Sequence, residues 1–242
     1  MKALVTRPAE NAAPVAAALR ARGIEPLLAP LLEIEPEPDG AARLRGALAG
    51  AQAVLFTSAN GVRAFAAAGD RFELPAYCVG DASAATARIA GFRFVVSAAG
   101  DVADLATLVA SRLAPGNGAL VYAAGRDTAG ELDAALAAKG YNLRHVVLYR
   151  AVATQVLAPE VAAALRHGEV GLALFFSPRS AETFVRLARQ AGLAEQCKDV
   201  VTVALSAKVA AALSGMPWRA VATARMPNLP SLLAVLDETV AA

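Results

Sequence analysis

Five short polar stretches hold the side chains best suited to chemistry. They are Thr6-Arg7-Pro8, Thr57-Ser58-Ala59-Asn60-Gly61, Gly80-Asp81-Ala82-Ser83, Ala124-Gly125-Arg126-Asp127 and Ser177-Pro178-Arg179-Ser180. Each follows an apolar run and precedes a segment of helical spacing, so each is read as a strand-to-helix turn. Such a turn presents unpaired backbone N–H groups at a helix N-terminus, which suits anions. Three of the five carry an arginine. In open α/β sheets ligands bind at this carboxyl edge. Together the turns suggest an anion-rich ligand held by hydroxyls, amides and guanidinium groups. The competing reading is that Ser, Thr and Asp cap helices and nothing more.

Motifs for other chemistry are missing. There is no G-x-S-x-G, H-E-x-x-H or Walker sequence. Gly116-Asn117-Gly118 precedes a strand, where a dinucleotide fingerprint would follow one, and reads as a hairpin-like turn. Only two histidines exist: His145 at a strand start and His167 at a helix end beside Gly168. The two cysteines, Cys78 and Cys197, lack the spacing of a disulfide framework or a zinc site. Catalysis on this chain is therefore expected to proceed without a metal, a histidine dyad or a nucleotide.

The elements that must position these turns alternate along the chain. Apolar runs at 2–6, 53–57, 76–79, 92–97, 119–122, 143–149, 172–176, 200–205 and 220–224 read as strands. Segments 9–22, 60–68, 83–90, 102–113, 128–139, 181–190, 208–213 and 229–240 read as helices, with Gly23, Gly91 and Gly140 as stops and Asp101 as a cap. This alternation predicts βαβ units around parallel sheets. An internal duplication is superimposed on it. Leu55-Phe56-Thr57-Ser58 and Phe65 match Leu174-Phe175-Phe176-Ser177 and Phe184 at a constant offset of 119. Ala3-Leu4-Val5 likewise matches Ala119-Leu120-Val121. The order is A–B–A′–B′, with one larger doubly wound sheet as the alternative. Segments 31–38 and 147–153 fit neither unit. The first, Glu-alternating and Pro-rich, reads as an exposed extended strand. If A packs with B′ and B with A′, these two segments are the crossings. They would form a two-stranded ladder and a double hinge beside a cleft.

The chain has 242 residues and a net charge of +2, enough for two small domains and too balanced for an obvious nucleic-acid binder. Its mean hydropathy of +0.46 reflects 62 alanines more than large apolar side chains. No apolar stretch approaches the ~18 residues of a membrane span, and no signal peptide is apparent. A cytoplasmic α/β protein is expected.

In order along the chain, Leu4-Val5-Thr6-Arg7-Pro8, Phe56-Thr57-Ser58-Ala59-Asn60-Gly61-Val62, Val79-Gly80-Asp81-Ala82-Ser83-Ala84, the stretch 100–105, Gly125-Arg126, Tyr149-Arg150-Ala151, Phe175-Phe176-Ser177-Pro178 and Pro227 resemble the uroporphyrinogen-III synthase family. The resemblance implies two similar lobes, each a parallel sheet flanked by helices, joined by a two-stranded β-ladder. Residues 1–30 with 154–242 would form one lobe and 38–146 the other, with 31–37 and 147–153 as linker strands. It implies closure of hydroxymethylbilane, a linear polycarboxylate tetrapyrrole, to uroporphyrinogen III with ring D inverted. Loss of the substrate hydroxyl as water would give an azafulvene, and a spiro-pyrrolenine would follow, with no cofactor. The enzyme's task would be largely positioning.

Position by position, Tyr149 matches the family tyrosine held to help the hydroxyl leave, with a merely hydrogen-bonded strand tyrosine as the alternative. Ser83 stands where the family usually has threonine. Thr57, Ser58, Asn60, Gly125 and Ser177 match turns that would hold carboxylates, and Arg7 and Arg126 match polar positions that surface charge would also explain. The family's Gly-Pro-Thr-Thr turn reads Ser206-Ala207-Lys208-Val209 here. Both threonines are gone, and Lys208 would supply a carboxylate partner instead. A catalytically degenerate homologue that binds a tetrapyrrole or a partner protein is the alternative function. Few large apolar residues are evident for an exposed face, so a monomer is expected, in transient contact with the enzyme that would supply its substrate.

Overall fold

A computed structural model describes residues 1–69, 71–127 and 130–240. The chain begins with β1 (Lys2–Val5), α1 (Ala13–Arg20), β2 (Glu25–Leu28) and β3 (Leu32–Pro36). Next come α2 (Gly40–Leu48), β4 (Ala51–Phe56), α3 (Ala59–Ala68), β5 (Ala76–Cys78), α4 (Asp81–Ala90) and β6 (Val95–Ser97). Then follow α5 (Val102–Arg112), β7 (Ala119–Gly125), α6 (Glu131–Ala137) and β8 (Leu143–Ala153). The last part holds α7 (Pro159–Arg166), β9 (Val170–Phe175), α8 (Pro178–Gln190), β10 (Val201–Ala204), α9 (Ala207–Ala212), β11 (Ala220–Thr223) and α10 (Leu229–Val240).

The chain divides into two compact units, residues 1–33 with 152–242 and residues 34–151. The first holds a five-stranded parallel sheet in the order β11-β10-β9-β1-β2. The other sheet has six strands in the order β3-β8-β7-β4-β5-β6, parallel from β8 to β6. β3 runs against β8: Thr154 N–H bonds Leu31 O, while Glu37 N–H bonds Leu148 O. Both sheets are covered on each face, as parallel sheets require. In the first unit Leu4 packs with Phe175 and Phe184 on one side, while Val5 packs with Leu19 and Leu236 on the other.

The duplication has a structural counterpart. β4 pairs with β7, and β9 pairs with β1, so each B-type strand lies beside an A-type strand distant in sequence. Phe56 meets Phe65 edge to face at 5.7 Å, and Phe175 meets Phe184 the same way at 5.4 Å. All four rings are fully buried. Burial of each contributes about 1.5–3 kcal/mol before entropy is counted.

Several boundaries differ from expectation. Residues 9–22 form a 3-10 turn (Ala9–Asn11) and then α1, which begins around Pro14. The strand expected at 92–97 starts only at Val95, because Phe92 turns inward against Phe56, Phe65 and Phe72. Part of the helix expected at 128–139, Thr128 and Ala129, lies outside the described residues, and α6 covers the rest. Gly116-Asn117-Gly118 is not a hairpin. It closes a 3-10 turn into a parallel strand, with Gly118 at φ +132°, where a Cβ would lie 2.6 Å from Gly50 O. Segment 31–38 is not exposed throughout: Leu31, Leu32 and Glu37 are buried. β2, α2 and α7 were not expected. β2 holds Pro26, which an edge strand tolerates.

Among the described residues, no helix is long and apolar enough to cross a membrane.

Candidate functional site

In an open α/β sheet the natural crevice lies where the strand order reverses, outside the carboxyl ends of the strands. In the six-stranded sheet the chain builds outward from β4 through β5 to β6, then returns to place β7 and β8 on the other side. The reversal therefore lies between β4 and β7. In the five-stranded sheet it lies between β1 and β9. The expected site residues collect at these two places.

At the β4/β7 reversal, Ser58 caps α3. Its extended backbone (φ −151°, ψ 155°) lets Oγ accept from Gly61 N–H at 3.1 Å. Gly61 is needed here, since a Cβ would lie 2.6 Å from Ala123 O on β7. The same Ser58 Oγ lies 2.8 Å from the Tyr149 hydroxyl. Beside it, Thr57 Oγ1 lies 2.8 Å from the Tyr122 hydroxyl. Two consecutive hydroxyls thus engage two tyrosines from β7 and β8. Tyr149 is in register with Gly125, and Arg126 N–H donates to Tyr149 O at 2.8 Å. A Cβ on Gly125 would fall 2.8 Å from Tyr149 Cζ, so the ring occupies the space a side chain there would take. Burial pushes the Tyr149 phenol above its ordinary pKa, the Ser58 hydrogen bond works against that, and the nearby Tyr122 phenol adds to it.

Arg126 is not a free surface cation. Its Nε donates to Glu37 Oε1 at 2.8 Å and its Nη2 to Oε2 at 2.5 Å. The Glu37 side chain is 4 % exposed and that of Arg126 58 %. The guanidinium holds the Glu37 carboxyl below its ordinary range, and the carboxylate raises Arg126 in turn. Since Glu37 N–H also bonds Leu148 O, the end of β3 is tied to β8 by backbone and to β7 by this ion pair. Asn60 lies in the first turn of α3, where its Oδ1 accepts from Arg63 at 3.0 Å. Ser83 is buried in the first turn of α4, which follows β5.

At the β1/β9 reversal, Ser177 caps α8 with nearly the backbone of Ser58 (φ −148°, ψ 151°), accepting from Ser180 N–H at 3.1 Å. The Arg7 guanidinium sits 4.4 Å over the Phe176 ring. On neighbouring β10 the altered turn is another cap: Ser206 Oγ accepts from Val209 N–H at 3.4 Å. Lys208 is exposed on α9. The loss of both family threonines therefore leaves the strand-turn-helix geometry in place.

The structure gathers Thr57, Ser58, Gly125, Arg126 and Tyr149 at one reversal, and Arg7 and Ser177 at the other. Asn60 lies in the helix that Ser58 caps, while Ser83 and Lys208 follow the adjacent strands β5 and β10. Sequence reasoning missed Glu37, Tyr122 and Phe176. Tyr122 carried a signal, being the one tyrosine in an otherwise Ala-rich apolar strand; Glu37 carried none beyond its place between two prolines.

The family described as Uroporphyrinogen-III synthase HemD matches residues 13–234. A search of curated proteins gives no match. Among solved structures, the uroporphyrinogen-III synthetase of Helicobacter pylori 26695 is similar with a TM-score of 0.66 at 16 % identity, over 98 % of both chains. A mutant uroporphyrinogen III synthase of the extremely thermophilic bacterium Thermus thermophilus gives 0.54 at 22 % identity, over 100 % of this chain and 99 % of that one. At these identities the structural likeness speaks for the fold, two helix-flanked sheets. The family match covers nearly the whole sequence, and by it the chain belongs to the uroporphyrinogen-III synthase family, cyclising lyases of porphyrin biosynthesis.

Proposed function

We propose that this chain closes hydroxymethylbilane to uroporphyrinogen III with Tyr149 as its catalytic acid. The observation that carries this role is the phenol itself, half-buried at the β4/β7 reversal and hydrogen-bonded to Ser58. A phenol is protonated at neutral pH, as an acid must be, and burial here favours that form further. In the step assigned to it, the Tyr149 O–H gives its proton to the hydroxymethyl oxygen. The C–O bond breaks, water leaves with the bonding pair, and the pyrrole nitrogen supplies electrons to form the azafulvenium. Loss of the pyrrole N–H proton, back to the phenolate or to water, gives the neutral azafulvene and balances the step.

The remaining residues hold the polycarboxylate. At the edge of the six-stranded sheet, Arg126, braced by Glu37, and the N-terminal amides of α3 and α4 beside Asn60 and Ser83 suit carboxylates. At the edge of the five-stranded sheet, Arg7, Ser177 and Lys208 suit carboxylates by the same chemistry. The non-catalytic alternative gains nothing from the altered turn, because Ser206 still caps α9. The protein works as a cytoplasmic monomer and meets the enzyme supplying its unstable substrate only transiently; light scattering of the pure protein tests the oligomeric state.

Product analysis tests the function. Hydroxymethylbilane is generated in situ, the protein added, and the oxidised uroporphyrin isomers separated. Isomer III in excess over protein is expected, with turnover lowered ~10²–10⁴-fold in a folded Tyr149→Phe variant. Isomer I alone from folded wild-type protein overturns the reaction; undiminished turnover in Tyr149→Phe removes that residue from it.

A further inference from the structure

The Ser58 hydroxyl is the one whose duplicate behaves differently. In the second copy, Ser177 Oγ lies 2.9 Å from Ser180 Oγ, so the capping hydroxyl finds a hydroxyl partner on its own helix. The residue equivalent to Ser180, at the same offset of 119, is Gly61. It offers a backbone N–H to the cap and no side chain. With that local partner missing, Ser58 reaches across to Tyr149 on β8. The neighbouring Thr57 is held by Tyr122, which is 2 % exposed, so the turn is anchored on both consecutive side chains.

A serine hydroxyl has one proton to donate and two lone pairs. Gly61 N–H occupies one lone pair of Ser58. Among the described residues, the Ser58 side chain has only Gly61 N–H and Tyr149 as hydrogen-bond partners. If Tyr149 donated, its proton would be engaged by Ser58; if Ser58 donates, the Tyr149 O–H stays free for substrate, as the acid role requires. We propose that Ser58 donates to the Tyr149 phenolic oxygen, making Ser58 a positioning residue that turns the Tyr149 O–H outward, toward substrate. The proposal rests on the catalytic assignment of Tyr149 and revises the expected role of Ser58, from carboxylate holder to support for the acid.

The chemical consequence follows from which protonation state is favoured. A hydrogen bond donated to the phenolic oxygen strengthens as negative charge develops there. Ser58 therefore favours proton release by Tyr149, against the burial and the Tyr122 phenol that oppose it. Tyr122, facing it from β7, is the ionisable side chain that acts on it electrostatically. Arg126 meets Tyr149 through its backbone N–H, while its side chain is paired with Glu37.

The test places 3,5-difluorotyrosine at position 149 of the full chain. Its more acidic phenol titrates at lower pH, and its fluorine resonance reports position 149 alone. The titration is followed by fluorine NMR in protein with Ser58 and in Ser58→Ala, Ser58→Gly and Ser58→Thr. Glycine is a good helix cap and keeps α3 formed where alanine weakens it. The titration is expected to move up by about one pH unit in Ser58→Ala and Ser58→Gly, and to stay in Ser58→Thr. With natural tyrosine at 149, kcat for isomer III is expected to fall about tenfold in the first two variants, KM to change little, and threonine to restore the rate. An unmoved or downward titration in folded Ser58→Gly overturns the proposal, because Ser58 then does not donate to Tyr149. An upward shift in a protein that makes no isomer III overturns the catalytic reading while upholding the support that Ser58 gives the phenolate.

Discussion

Gly125 and Tyr149 sit in register on adjacent parallel strands, and the tyrosine ring fills the space a Gly125 side chain would need. A Cβ there would lie 2.8–3.1 Å from Cζ, Cε2 and the hydroxyl oxygen of Tyr149. Gly125 is therefore the floor under the Tyr149 ring, the acid of the proposed reaction.

Gly125→Ala is the direct consequence. The backbone of Tyr149 is held by Arg126 N–H, so the ring must tilt, and its bond to Ser58 is lost. Isomer III formation should fall at least tenfold, since a misplaced acid loses about that much. Overpacking should cost about 1–3 kcal/mol. Steady-state rates and urea unfolding of the same preparation measure both, and a variant with wild-type rate would show that the ring position does not matter.

The Glu37–Arg126 pair predicts a pH dependence. Arg126 holds the folded-state pKa of Glu37 below the ordinary 4.5, with smaller contributions from Arg150 and Arg43. The folded state thus binds this proton less readily than the unfolded state. The stabilisation is fully present above the unfolded value and is lost as pH falls through the lowered folded value. Glu37→Gln should melt below wild type at pH 7, and the gap should close as the pH falls below 4.5 and through the folded-state pKa. A gap that stays constant from pH 7 to pH 3 would mean that the pair contributes nothing through its charge.

The cysteines predict inertness. Cys78 and Cys197 are buried, and burial pushes both thiols up to about 12. At pH 8 only about one molecule in ten thousand carries the reactive thiolate at either site. A thiol-specific reagent should leave the native protein unmodified over an hour and label two thiols per chain in denaturant. Rapid native labelling at either position would reveal local opening of β5 or of the segment Glu195–Asp199.

Much of the fold was legible because its signals are local. Apolar runs of strand length, helical spacing and Gly stops mark elements one at a time, and Asp101 was a recognisable cap because a cap and its helix are neighbours in sequence. The missed elements obey the same logic in reverse. β2 contains a proline, and α2 and α7 are short, Ala-rich segments.

The sequence by itself determined the α/β class, the family, the repeat offset of 119 and the chemical types at each turn. Tertiary structure decided which strands lie side by side and what each hydroxyl touches. β4 could have paired with any strand of similar apolar pattern; its pairing with β7, and that of β7 with β8, bring Tyr122 to Thr57 and Tyr149 to Ser58. Glu37 shows the same division. In the sequence it is one more glutamate in an acidic, proline-rich segment. In the fold it is a buried carboxylate, because β3 adds to β8 at the point where Arg126 emerges from β7. Periodicity and capping are encoded within a few residues of chain, whereas a hydrogen bond between residues 91 apart, such as Ser58 to Tyr149, exists only once the strands between them have been ordered.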